Sequence, residues 1–177
     1  MKERGGGGFF LCLGMRWRTS DGAQLISRNG NAFASFSDLG KNIAACIPNS
    51  KLTVLDGEIV CLDRKGRPQF RDLLFHRGDP CFFAFDLLAA HGKDWRTGGL
   101  TDRKQELRRL LGRLPRDSRL KYVDHVDGSG TALFQRVCKL DLEGIVAKQK
   151  PGLYVTDRED SSWFKIRKPR ILTDGGP

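Results

Sequence analysis

The sequence predicts a mixed α+β domain, and three observations carry that reading. Short runs of apolar and β-branched residues recur along the chain as candidate strands. Some are joined by tight Asp-Gly or Asn-Gly turns and others by stretches with apolar residues at helical spacing. The order lacks the regular strand–helix repeat of a parallel sheet. With 177 residues, the chain is long enough to bury a core.

The elements follow in order. Residues 1–8, Met-Lys-Glu-Arg and four glycines, read as a flexible tail, because consecutive glycines disfavour regular structure. Phe9 to Arg18 reads as a strand, Thr19 to Gly22 as a hairpin turn and Ala23 to Arg28 as the returning strand, followed by a turn at Asn29-Gly30. Phe36, Leu39, Ile43, Cys46 and Ile47 recur at helical spacing, so residues 38–47 are predicted helical, with Ser37 as cap and Pro48 as stop. A strand over 52–62 comes next, then a turn at Asp63 to Gly66, a short segment from Phe70 to Phe75, a strand from Cys81 to Leu88 and a loop from His91 to Gly99.

The second half opens on the clearest helix, Thr101 to Leu114. Thr101 is its expected cap, Leu107, Leu110, Leu111 and Leu114 line one face, and Pro115 follows. Leu120 to His125 reads as a strand and Thr131 to Leu140 as a helix turning Leu133, Phe134, Val137 and Leu140 inward. Strands are predicted at 144–148 and 163–167.

Lys and Arg total 31 against 21 Asp and Glu, a net charge of +10 that suits a polyanionic partner. The five cysteines form no Cys-x-x-Cys and are odd in number, which argues against a zinc site or disulfide framework and for a reducing compartment. No apolar run reaches the roughly 18 residues of a membrane span. Phe9 to Met15 is too short, and lacks the cleavage site, for a secretory signal.

Charge inside apolar strands is the informative feature. Strand alternation sends Asp56 and Glu58 to one face with Val54 and Val60. Two uncompensated carboxylates there would be costly, so an internal Arg or Lys, or a metal carrying a phosphorylated ligand, must meet them. Arg28 ends one strand, and Phe85-Asp86 close the apolar part of another. Glu143 and Lys148 bracket a third. Lys165 and Arg167 share a face of a fourth with Trp163, where two cations repel unless an anion lies between them. Each has an ordinary structural role open to it: a solvated strand end for Arg28, core packing for Phe85, a wet outer face for Lys165 and Arg167. Together they make the inventory of a nucleoside-triphosphate site without a P-loop: bases for phosphate oxygens, acids for Mg²⁺, and an aromatic ring for a nucleobase.

Five stretches, taken in order, carry a resemblance. They are Ser27-Arg28-Asn29-Gly30, Leu55-Asp56-Gly57-Glu58, Phe85-Asp86-Leu87-Leu88, Glu143-Gly144-Ile145-Val146-Ala147-Lys148 and Trp163-Phe164-Lys165-Ile166-Arg167. Over residues 16–169 the chain resembles the nucleotidyltransferase (adenylation) domain of ATP-dependent DNA ligases, of the bacterial end-joining and repair type. Arg103-Lys104 and Gly152-Leu153-Tyr154 are similar to that family as well.

The resemblance implies the DNA ligase and mRNA capping enzyme fold, antiparallel sheets flanked by helices. It implies ATP and Mg²⁺ as cofactors, nicked double-stranded DNA as partner, and the bacterial cytoplasm, at the nucleoid and away from membranes, as location. Residue by residue, Arg28 would contact ribose and phosphate, Glu58 would bind ribose or metal, and Phe85 would stack on adenine. Glu143 would bind Mg²⁺, and Lys148, Lys165 and Arg167 would grip the α-phosphate and the leaving pyrophosphate. Arg167 stands where the family has Lys.

The nucleophilic lysine of the family's Lys-x-Asp-Gly is not found; its expected place, about residues 5–10, holds glycine and phenylalanine, and Lys2 is followed by Arg4 where Asp belongs. The resemblance thus implies a Gly-rich tail over 1–8, an incomplete adenylation domain over 9–170 and a C-terminal tail over 171–177, without the oligonucleotide-binding (OB) domain or fused repair domains of longer relatives. Two readings remain beside it: a non-catalytic remnant that binds nucleotide or DNA, and an RNA ligase or capping-type enzyme.

Overall fold

The structure, a computed structural model, describes residues 13–18, 22–27, 29–47, 52–140, 142–155 and 162–169, with the backbone alone for 13–18 and 22. The expected tails, Lys2, Arg28, the turn residues 19–21 and Pro48 lie outside the described residues. The chain divides into two compact units. Of the described residues, the larger holds those up to Asp124 and Lys150–Tyr154; the smaller holds those of His125–Gln149 and those from Val155 onward.

In the larger unit the apolar runs build one sheet from β1 (Leu13–Arg18), β2 (Gly22–Ile26), β3 (Val54–Cys61), β4 (Pro80–Ala90), β5 (Lys93–Asp94) and β6 (Leu120–Tyr122). Among the described residues its order is β2-β1-β3-β4-β5, with β6 also on β4. The pairings are antiparallel except β4 with β6, where Phe82 faces Leu120 and Ala84 faces Tyr122 in parallel. The exception has a cause in connectivity: the helix α3 (Leu100–Leu111) lies between these strands and returns the chain in the same direction.

The core is made by Leu55 and Ile59 from β3, Phe82, Ala84 and Leu87 from β4, Leu39 and Ile43 from α1 (Ser37–Cys46), Leu107 and Leu111 from α3, and Leu120 from β6. Burying each of the larger side chains contributes about 1.5–3 kcal/mol. Leu110 and Leu114 of the predicted stripe pack against this core half-buried. No helix among the described residues is long and apolar enough to cross a membrane.

Several local expectations are corrected. Ser37 caps nothing with its side chain, because a 3-10 turn at Ala34–Phe36 feeds α1 directly and the Ser37 N–H already donates to Ala34 O. Thr101 lies inside the first turn of α3, which Gly99 precedes; its N–H donates to Lys150 O at 3.4 Å. The segment at Phe70 is a short helix, α2 (Phe70–Leu74). Part of the expected 91–99 loop is a hairpin: His91 and Gly92 have φ of 54° and 79°, as a primed two-residue turn requires, and β5 folds back on β4.

The smaller unit carries α4 (Gly130–Lys139) and a two-stranded antiparallel sheet of β7 (Gly144–Lys148) and β8 (Trp163–Arg167). Val137 of α4 is buried and Leu133 and Phe134 are half-buried. Leu140, expected inward, is 62% exposed, because α4 ends at Lys139 and Leu140 is its C-cap. Gly144 lets β8 come close, since a Cβ there would stand 2.2 Å from Ile166 O.

Gly57 is required for a similar reason. A Cβ at this position would stand 2.5 Å from Phe83 O and 2.6 Å from the Phe82 ring, both parts of the neighbouring strand. Gly57→Ala is expected to destabilise the chain by about 2 kcal/mol or more in urea titrations. Gly130→Ala, where a Cβ meets nothing within 4 Å at the start of α4, should be neutral or slightly stabilising.

Candidate functional site

The β3–β4 ladder organises the larger unit's share of the charged residues. Leu55, Ile59 and Cys61 are buried and Glu58 and Val60 are half-exposed, the alternation that the sequence predicts. Asp56 departs from it, being buried at 1% exposure directly opposite Asp86, which is fully buried. Facing carboxylates repel, and burial removes the water that would screen them, so each needs its own compensation.

Asp86 obtains it from Arg103 of α3. The guanidinium donates Nε–H to Oδ1 at 2.8 Å and Nη2–H to Oδ2 at 3.2 Å, the fork geometry that suits a carboxylate. Leu87 N–H donates to the same carboxylate at 2.9 Å. Arg103 is itself fully buried, and its Nη1 donates to Gly98 O at 2.7 Å and Gly152 O at 3.0 Å. Asp56 accepts from the Tyr154 hydroxyl at 2.8 Å, and the Tyr154 ring lies 5.7 Å from the Arg103 guanidinium carbon. Tyr154 N–H donates to Arg96 O at 3.0 Å. Hydrogen bonds from Arg96 hold the Asp94 carboxyl down at about 2. The segment 150–154 is thus fastened by Gly152 and Tyr154.

Lys104, next along α3, donates from Nζ to Val123 O at 2.5 Å and lies 4.6 Å from the Tyr122 ring centroid. Burial pushes the Tyr122 hydroxyl up from its ordinary value.

Glu58 and Phe85 stand on neighbouring strands. Glu58 pairs with Phe83, and Phe85 is the extra residue where the register shifts between Asp56/Asp86 and Gly57/Ala84. Such a bulge re-aims a side chain, and Phe85 remains half-exposed.

In the smaller unit the ladder sets Lys148 opposite Trp163, Val146 opposite Lys165 and Gly144 opposite Arg167. Alternation gives one face to Lys148, Trp163, Lys165 and Arg167 and the other to Ile145, Ala147, Phe164 and Ile166. Lys148 Nζ sits 3.4 Å above the Trp163 ring centroid. Glu143 Oε1 lies 3.9 Å from Arg167 Nε, with both side chains well exposed, so this pair contributes little stability. The backbone around it is fixed, because Lys168 N–H donates to Glu143 O at 2.8 Å.

Of the residues singled out by sequence, Glu58 and Phe85 thus fall in the larger unit and Glu143, Lys148, Lys165 and Arg167 in the smaller. Arg28 lies outside the described residues. Asp86, placed by sequence near the end of a strand closing at Leu88, lies well inside one, since β4 runs on to Ala90.

Sequence reasoning did not find the roles of Arg103 and Tyr154. A signal existed for Arg103: it lies four and eight residues before Leu107 and Leu111, on the buried face, where a cation implies a buried anion. Tyr154 carried no such periodicity. Among the described residues no group of three or more His, Cys, Asp or Glu forms a ready metal cage. Mg²⁺ needs no such cage, since it takes one or two carboxylates and fills its remaining positions with phosphate oxygens and water.

Comparison with known proteins gives a consistent result. Residues 14–167 match the family described as ATP dependent DNA ligase domain. The bifunctional non-homologous end joining protein LigD of Bacillus subtilis is 31% identical over 177 residues, covering 84% of this chain and 28% of that protein. The multifunctional LigD of Pseudomonas aeruginosa is 31% identical over 157 residues, covering 85% of this chain and 18% of that protein. The crystal structure of the ligase domain of M. tuberculosis LigD superposes with a TM-score of 0.70 at 27% identity, over 92% of this chain and 53% of that one. A mycobacterial DNA ligase D complexed with ATP and MES gives 0.67 at 26%, over 90% and 52%. The chain therefore spans less than a third of these two curated relatives and about half of the two solved ligase chains.

Removing the Asp86–Arg103 pair one side at a time separates charge from packing. Arg103→Met strands a buried carboxylate and is expected to cost about 3–5 kcal/mol in urea unfolding, whereas Asp86→Leu/Arg103→Met together should recover most of that loss. Tyr154→Phe should cost about 1 kcal/mol and speed amide hydrogen exchange within 150–154.

Proposed function

Because the chain belongs to the ATP-dependent DNA ligase family, we propose that it binds ATP and takes the adenylation domain's part in sealing nicked DNA during end-joining repair. The observation that carries the reading is the β7–β8 ladder, which sets Lys148 and Lys165 on one strand face, as a polyphosphate ligand requires. The relative solved in complex with ATP supports the choice of nucleotide.

Each residue has a part suited to its chemistry. Lys148 and Lys165 neutralise oxygens of the α-phosphate and of the departing pyrophosphate as mobile point charges. Arg167, free to leave its weak pair with Glu143, adds a planar fork at the same anion. Phe85 offers a ring face to adenine, Glu58 accepts from the ribose hydroxyls, and Arg28 contacts ribose and phosphate. Glu143 would supply a carboxylate oxygen to Mg²⁺, which when bound offsets the charge of the triphosphate, and Glu58 is the acid for ribose or metal.

Binding and charge stabilisation therefore belong to these residues, while the attacking amine does not. No Lys-x-Asp-Gly occurs in the 177 residues. Full ligation would need that lysine to displace pyrophosphate, AMP to pass to the 5′-phosphate of the nick, and the 3′-hydroxyl to displace AMP. The place of action we assign is the bacterial cytoplasm at the nucleoid.

Incubation with α-labelled ATP and Mg²⁺ is expected to give saturable binding without a covalent AMP adduct, and an adduct on the purified chain would overturn the assignment of the missing nucleophile. Lys165→Ala should weaken ATP binding about tenfold, roughly 1.4 kcal/mol, by calorimetry. On nicked duplex, Lys165→Glu with Arg167→Glu should weaken binding and lower the slope of log affinity against log salt by about two or more.

A further inference from the structure

We propose that Tyr154 is a positioning residue for the nucleoside half of ATP, its hydroxyl pinning Asp56 so that a β-bulge holds Phe85 where adenine stacks. The inference rests on the reading of Phe85 as the adenine platform.

The groups involved all lie in the larger unit. β3 and β4 pair Val54 with Ala89, Leu55 with Leu87, Asp56 with Asp86 and Gly57 with Ala84, so Leu88 and Phe85 are each left over on β4. Only the Leu55–Leu87 and Asp56–Asp86 pairs separate these two irregularities. So short a run of ladder does little to decide which residue bulges. Moving the second irregularity by one residue would set Phe85 opposite Asp56 and put Asp86 in the bulge, and a slip of that kind turns a side chain to the other face. Two side chains from outside the ladder select the observed register. Arg103 forks onto Asp86, and the Tyr154 hydroxyl donates to Asp56 at 2.8 Å. Tyr154 can serve as an anchor because its own place is fixed. Its N–H donates to Arg96 O at 3.0 Å, and Gly152 O, two residues before it, accepts from the buried Arg103 at 3.0 Å. Asp56 is 1% exposed, so bulk water does not replace a donor taken from it. Of the two anchors Arg103 carries the fold as well, whereas Tyr154→Phe keeps the ring and removes a single O–H.

Calorimetry on the full chain with adenosine, ATP and tripolyphosphate tests this. Tyr154→Phe is expected to weaken adenosine and ATP about fivefold each and to leave tripolyphosphate, which has neither base nor ribose, unchanged. In a Phe85→Leu background the same substitution should have no further effect on adenosine. Unchanged adenosine affinity in Tyr154→Phe, equal weakening of tripolyphosphate, or an effect that persists without Phe85 would overturn the proposal and leave Phe85 as the platform. If Phe85→Leu alone leaves adenosine affinity unchanged, the reading of the site itself fails, and this inference with it. Should Tyr154→Phe prevent folding, Asp56→Leu decides: it removes the same contact together with one of two facing carboxylates, and normal adenosine affinity in it would overturn the proposal.

Discussion

The buried ion pair between Asp86 and Arg103 is the constraint on which the larger unit depends. It lets two carboxylates, Asp56 and Asp86, stand opposite each other inside a sheet. The same guanidinium takes the carbonyls of Gly98 and Gly152, so one side chain joins β4, the approach to α3 and the segment 150–154. Remove the cation and three pieces of backbone lose their common fastening while a carboxylate is left in a dry interior. The cost of a buried charge thus becomes a geometric lock, because every lone pair and N–H must find its partner at once.

That lock extends to β3 through Asp56 and Tyr154. Asp56 and Glu58 are two residues apart on β3, and only Asp56 is sealed in by a tyrosine hydroxyl. The buried acid secures structure, whereas Glu58 stays half-exposed. Gly57 between them admits the neighbouring strand so closely that no side chain fits. In the smaller unit the division is similar. Backbone bonds at Glu143, Gln149, Ser162 and Lys168 fix the ladder, while the side chains of Lys165 and Arg167 stay exposed.

The sequence made much of the strand framework legible, because apolar runs broken by turn residues report directly on strand length. The β7 and β8 bounds agree with the reading from alternation, and the charged strand positions that matter were visible as violations of it. What alternation cannot supply is the partner across the ladder. Trp163 was visible beside Lys165, but its contact with Lys148 depends on a register fixed over a connection of fourteen intervening residues. Likewise Asp86 was visible as a carboxylate in a greasy strand, while its cation came from a helix seventeen residues on. Caps failed for a different reason: Ser37 and Thr101 have the right chemistry, but a preceding 3-10 turn and Gly99 claimed the helix starts.

An apolar pair in place of Asp86 and Arg103 would often be as stable or more so, since desolvating two charges offsets much of their attraction. A structural role that only required cohesion would not demand this pair. A hydrophobic contact, however, tolerates sliding, whereas a forked ion pair with two further carbonyl acceptors admits one arrangement of Gly98, Asp86 and Gly152. The segment so fixed, 150–154, is also tied to β3, because the Tyr154 hydroxyl donates to Asp56 at 2.8 Å. The expense of burying an ion pair is therefore best understood as the means of holding β4, the approach to α3 and the segment 150–154 in one arrangement.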